Sequence, residues 1–166
     1  MALNGNLPND IYINNCTLEN NNFHARFSAK KREYIYYISN TFSPMNRLYS
    51  WNINWEIDLA SLHECSKMII GKHDFSSFSK ASSEAKDRTC EIFISDWSLN
   101  DDGHVFNIIA NRFLHHMVRF LVGTMIEVGR GRYSQNNFEE MLYSRNKNCI
   151  ALCAPPQGLF LKNVYY

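Results

Sequence analysis

RFLHHMVRFLVGTMIEV, residues 112–128, is the stretch around which the rest of the chain arranges itself. At helical spacing Phe113, Met117, Leu121 and Met125 form one apolar line. Leu114, Val118, Val122 and Ile126 form a second beside it. A helix apolar around most of its circumference is a buried helix. One polar seam interrupts it: Arg112, His115, His116 and Arg119 recur three and four apart, which predicts a shared face continued by Gly123 and Glu127. A guanidinium keeps its proton, so burying Arg119 without a carboxylate is expensive. The ordinary outcome is that Arg119 snorkels outward or pairs with Glu127. The sharper one is that it is held in a cleft to meet an acid.

The segments on either side tell what this helix packs against. Residues 90–99 and 104–111 alternate as strands, and Asn100-Asp101-Asp102-Gly103 between them is turn-forming, so a hairpin feeds directly into the helix. Residues 33–39 are aromatic and β-branched, a strand with Tyr34, Tyr36 and Ile38 on one face and Ile35 and Tyr37 on the other. Residues 23–29 alternate too, predicting a half-buried strand with Phe23, Ala25 and Phe27 inward. Residues 30–33 read as a charged break after it. Asp58 is a good N-cap for a helix carrying Leu59, Leu62, Cys65 or Ser66, and Ile69, with Gly71 closing it. Residues 72–78 read as a polar loop anchored by two phenylalanines, and 79–87 as a surface loop. A shorter helix is expected from Asn136 or Asn137 to near Arg145. After the rigid turn Ala154-Pro155-Pro156-Gln157-Gly158, residues 159–165 read as a last strand, with Leu159 and Leu161 on one face and Phe160 on the other. The Asn-rich residues 1–22 hold one short extended piece, 11–16, and read like a chain entered midway. The order of elements predicts an α+β domain over 23–166: a mostly antiparallel sheet with helices packed on one face.

With 166 residues, 45% hydrophobic and 20% charged, the chain can bury a core of its own. A net charge of +1 produces no global field for a polyanion, so RNA binding would need a local basic patch. Two clusters qualify: Arg26, Lys30, Lys31 and Arg32; and Arg112, Arg119, Arg130 and Arg132. Cys16, Cys65, Cys90, Cys149 and Cys153 are odd in number and contain no Cys-x-x-Cys. Cys149 and Cys153 could share a helix face, but no further ligands accompany them. All five read as reduced thiols of a cytoplasmic protein, with no metal site. No apolar run is long enough to span a bilayer.

Five stretches together resemble the tRNA pseudouridine synthase A family. They are NGNLPNDI at 4–11; FHARFSA at 23–29 with Arg32-Glu33-Tyr34-Ile35-Tyr36; and GKHDFSSF at 71–78 with Arg88-Thr89. The others are NRFLHHMVR at 111–119 with Val122-Gly123, and Ala154-Pro155 with GLFL at 158–161. The resemblance covers nearly the whole chain in the right order. It departs at one place: the family's GRTDAG stretch, with the nucleophilic aspartate, is not found, and Gly129-Arg130-Gly131-Arg132 does not replace it. The resemblance therefore implies the C-terminal half of a synthase, with residues 1–22 running in from a missing N-terminal domain.

The resemblance also implies chemistry: isomerisation of uridine to pseudouridine in the anticodon stem and loop of tRNA, without metal or cofactor, by a full-length homodimer. Arg119 matches the arginine that pairs with the nucleophilic aspartate. Tyr34 matches the active-site tyrosine, which can stack on the flipped uracil and assist proton removal. Leu159 and Leu161 match the apolar pocket floor. Arg26, Lys30, Lys31, Arg112, His115 and His116 are the expected phosphate contacts, with Arg26 and Arg112 foremost. On this reading the chain alone is inactive; the competing reading is a non-catalytic RNA-binding module.

Overall fold

The computed structural model describes residues 2–80, 87–143 and 150–166. Its centre is β1 (Lys31–Ser39), which pairs antiparallel along its length with β5 (Gly103–Ala110). β5 continues antiparallel to β4 (Thr89–Asn100), and β4 to β3 (Gly71–Asp74). The other edge of β1 is shared. β6 (Leu159–Tyr165) runs antiparallel beside residues 31–36, and the two-residue β2 (Trp51–Asn52) pairs parallel at Ile38 and Ser39. Among the described residues the sheet is thus antiparallel but for that one short contact.

Strand alternation sorts the side chains. Tyr34 lies opposite Ile108 on one side and Leu161 on the other; Tyr36 lies opposite Phe106 and Leu159. These residues share the face that meets the helices α1 (Leu59–Met68), α2 (Met117–Gly129) and α3 (Gln135–Tyr143). Tyr36, Trp97, Phe106 and Ile108 form one fully buried cluster with Leu62, Leu121, Met125 and Phe138. The Trp97 indole N–H points at the Met125 sulfur, 3.4 Å away. The predicted α+β layering and hairpin are both present. Asp58 caps α1 as expected, accepting from the Ala60 and Ser61 N–H groups.

Several expectations are corrected. The buried helix begins at Met117, not at residue 112. β5 must turn from the sheet onto the helix layer, and residues 111–116 make that turn. Leu114 is its buried anchor, and His116 closes it in the left-handed region at φ +63°. The seam of Arg112, His115, His116 and Arg119 is therefore not one helix face.

Residues 23–29 form a turn rather than a strand. The His24 ring nitrogen accepts from the N–H groups of Arg26 and Phe27, which bends the chain, and Phe27 is 76% exposed. Residues 30–33 are no break, because β1 starts at Lys31. Its charges fit in a strand: Arg32 donates to the carbonyls of Ala29, Asn111 and Arg26, and Glu33 binds Lys162 and Tyr165.

α1 stops at Met68. Gly71, at φ +100°, is already the first residue of β3, so the expected polar loop begins with a short edge strand. Residues 11–16 form no strand; the Asn4 side chain clamps Ile13 through both its amide atoms. Residues 81–86 of the expected surface loop lie outside the described residues, as do Arg145 and Cys149. Cys153 sits in a non-helical segment, so no shared helix face arises.

Candidate active site

The site forms where the N-terminal part of α2 meets the segment leading into β6. Gly123 allows the contact. A Cβ there would overlap the Leu152 carbonyl oxygen and stand 2.8 Å from the Ala154 nitrogen. With only hydrogen in the way, residues 152–155 lie flat on the helix. Ala154 donates to the Arg119 carbonyl at 2.9 Å, and Arg119 Nε donates back to the Ala154 carbonyl at 2.7 Å. The Leu152 N–H donates to the Thr124 hydroxyl at 3.1 Å. The Tyr36 hydroxyl donates to the Pro155 carbonyl at 2.7 Å, tying the same segment to β1. Gly158 passes just as closely against the Tyr36 ring.

Arg119 is consequently half-buried and fixed through its Nε on the Ala154 carbonyl. Among the described residues no carboxylate comes within ion-pair distance of it. Glu127, the acid the sequence offered, binds Arg130 at 3.0 Å and Arg132 at 3.6 Å at the far end of α2. Two arginines of the second basic cluster are thereby accounted for structurally. The Tyr36 phenol is fully buried and its pKa is raised by that burial, with the nearby positive charge of Arg119 partly offsetting the rise.

Tyr34, two residues earlier on the same face, is only partly buried. Its ring meets Phe113 edge-on, with centroids 5.1 Å apart. Leu161 lies directly across from it and is 53% exposed; Leu159 lies across from Tyr36 and is partly buried. The structure thus places Tyr34, Leu159 and Leu161 on one face of adjacent strands, beside the segment that Arg119 holds.

The expected phosphate contacts divide. Arg26 and Arg112 line one open hollow with Phe27, Ala29, Arg32 and Phe113. Arg32 belongs to the framework there, as described above. His115 and His116 stack with ring centroids 4.0 Å apart. The His116 imidazole is held below its ordinary pKa by burial, and by the charges of His115, Arg119 and Lys80. Lys30 is exposed just before β1. Lys31 alternates onto the opposite face of the sheet from Tyr34, its ammonium 4.7 Å from the Phe93 ring centroid. It does not share the face of Tyr34.

Two features escaped the sequence reading. Phe113, counted as a helical core residue, is instead the partner of Tyr34. Phe27, counted as buried, stands open to solvent. A glycine inside an otherwise large-residue helix was the available signal for the close approach of residues 152–154.

Comparison with known proteins agrees with this architecture. A family model described as tRNA pseudouridine synthase matches residues 65–166. The tRNA pseudouridine synthase A of Bacillus licheniformis is 36% identical over 167 residues, covering 99% of this chain and 68% of that protein. That of Exiguobacterium sp. is 37% identical over 165 residues, covering 99% and 67%. That of Bacteroides fragilis is 38% identical over 165 residues, covering 99% and 66%. The chain therefore spans about two thirds of such proteins, more than the half expected. The match at this identity, over nearly the whole chain, makes this chain a member of the tRNA pseudouridine synthase family.

Proposed function

We propose that this chain supplies most of the uridine pocket of a tRNA pseudouridine synthase acting on the anticodon stem and loop. The observation that carries the reading is the Arg119 guanidinium. It is half-buried, fixed through Nε on the Ala154 carbonyl, and without a carboxylate among the described residues. A cation held this way serves to receive an anion.

In the reaction the bond from sugar to ring nitrogen breaks, the uracil turns, a carbon–carbon bond forms, and the proton leaves the newly bonded ring carbon. A carboxylate nucleophile from a polypeptide segment beyond this chain would be kept ionised and aimed by Arg119. Tyr34, partly open on the sheet face, stacks on the extruded base, and its hydroxyl stands ready to move the carbon-bound proton. Phe113 fixes the Tyr34 ring. Leu159 and Leu161 form the apolar floor that keeps water from the detached base. Arg26, Arg112, His115 and His116 contact phosphates, whereas Lys31 has no part in this cleft. Residues 1–22 lead in from a preceding domain, and the complete enzyme works as a homodimer in the cytoplasm. No helix among the described residues is long and apolar enough to cross a membrane.

Release of tritium from the ring carbon of labelled uridine in tRNA tests the reading. The isolated chain releases none. A family-length polypeptide built on it releases tritium, and its Arg119→Ala variant releases at least a hundredfold less while keeping its circular dichroism. Undiminished release by that variant removes Arg119 from the site.

A further inference from the structure

The turn at residues 23–29 is built more firmly than a surface loop requires. Arg32 donates to the carbonyls of Arg26, Ala29 and Asn111, tying the middle and the end of the turn to the residue that follows β5. The His24 ring nitrogen accepts from two N–H groups inside it, and the Ser28 hydroxyl accepts from the His24 N–H at 3.0 Å. From outside, the Tyr166 hydroxyl donates to the Ala25 carbonyl at 3.0 Å, and the Tyr166 ring packs on Phe23. What this framework holds up is apolar and exposed: the Phe27 ring, 76% open to solvent, with the Arg26 guanidinium 5.6 Å from its centroid. The His24 ring lies on it as well, centroids 4.5 Å apart, and the same ring lines a hollow shared with Arg26 and Arg112, so it stands among cations rather than alone.

Arg112 and Phe113 line the same hollow as Phe27. Arg26 and Arg112 have no ion-pair partner among the described residues. Asp87 feels the charge of Arg112, but its carboxyl is lowered chiefly by hydrogen bonds from Thr89. Phe113 lines the hollow and also meets the Tyr34 ring, so the hollow adjoins the candidate uridine pocket through that one residue. An aromatic platform flanked by unpaired guanidinium groups suits single-stranded RNA, whose bases stack while cations track the backbone.

We propose that the hollow between Phe27 and Phe113 is a second nucleotide subsite. It takes the unstacked base next to the target uridine on the Phe27 ring, and that nucleotide's phosphate between Arg26 and Arg112. The proposal deepens the synthase reading and rests on it for the identity of the RNA.

The test is equilibrium binding of a fluorescein-labelled anticodon stem-loop RNA to the 166-residue chain, measured over a range of salt. Phe27→Leu weakens binding about tenfold with an unchanged salt slope. Arg26→Ala flattens that slope by about 0.7. Phe27→Trp binds within about twofold of wild type, and the added indole fluorescence is quenched when RNA binds. All three variants keep the wild-type melting temperature, because neither side chain enters the core. Wild-type affinity in Phe27→Leu, or an unquenched indole at position 27, overturns the subsite and leaves the synthase reading standing. A wild-type chain that does not bind the RNA overturns both.

Discussion

Replacing Gly123 by alanine tests the contact on which Arg119 depends. The added Cβ would overlap the Leu152 carbonyl oxygen and stand 2.8 Å from the Ala154 nitrogen, and both are backbone atoms that cannot rotate away. Residues 152–154 must lift from α2. Three hydrogen bonds then weaken: Ala154 to the Arg119 carbonyl, Arg119 Nε to the Ala154 carbonyl, and Leu152 to the Thr124 hydroxyl. Each contributes about 1 kcal/mol net, and the crowding costs about 1–3 kcal/mol more. Against this, alanine in a helix is better than glycine by about 1 kcal/mol. Partial relaxation leaves a net loss of about 2–3 kcal/mol, a drop in Tm of about 5–10 °C for a chain this size. Thermal unfolding followed by circular dichroism measures it, and amide exchange localises it to Ala154. In an unencumbered helix the same substitution raises Tm. A Gly123→Ala variant as stable as wild type, with Ala154 still protected, refutes the packing argument.

Two further outcomes follow from ionisable groups. The Glu33 carboxyl is held below its ordinary pKa by bonds from Lys162 at 2.8 Å and Tyr165 at 2.7 Å. A lowered folded-state pKa stabilises above the unfolded Glu value, and the contribution fades as pH falls through the folded one. Glu33→Gln therefore lowers Tm by a few degrees, about 2–4 °C, at pH 7; the gap to wild type closes in acid, and a gap that stays constant with pH contradicts the assignment. Burial pushes the Cys65 thiol up to about 12 and the Cys90 thiol up to about 11. Iodoacetamide at pH 8 should label exposed Cys16 and Cys153 and spare Cys65 and Cys90 until the chain unfolds. Mass spectrometry reads the pattern, and native labelling of Cys90 would show that the core around it opens.

Where local chemistry decided the outcome, the sequence was legible. The Asn-Asp-Asp-Gly turn, the Asp58 cap and the Tyr34/Tyr36/Ile38 face all appear where alternation and capping put them. Register explains why Tyr34, Leu159 and Leu161 meet: antiparallel pairing sets Tyr34 opposite Leu161 and Tyr36 opposite Leu159, so all four share one face. The errors arose where tertiary demands overrode periodicity. Residues 111–116 carry helical spacing, but the chain needs them to climb from the sheet to the helix layer. Residues 23–29 alternate like a strand, but the imidazole of His24 and the guanidinium of Arg32 bend them into a turn. β3 was missed because four residues, mostly polar, at a sheet edge leave no pattern to read. The hold of Ala154 on Arg119 spans 35 positions and was invisible to any local rule.

The most direct test is photo-crosslinking of the 166-residue chain to an anticodon stem-loop RNA carrying thiouridine at the target positions, with crosslinked peptides identified by mass spectrometry. If the cleft beside Arg119 receives the uridine, crosslinks fall on Tyr34, Phe113 or Leu161, and Arg119→Ala diminishes them. Crosslinks confined to the opposite sheet face, at Tyr37 or Phe160, contradict the account.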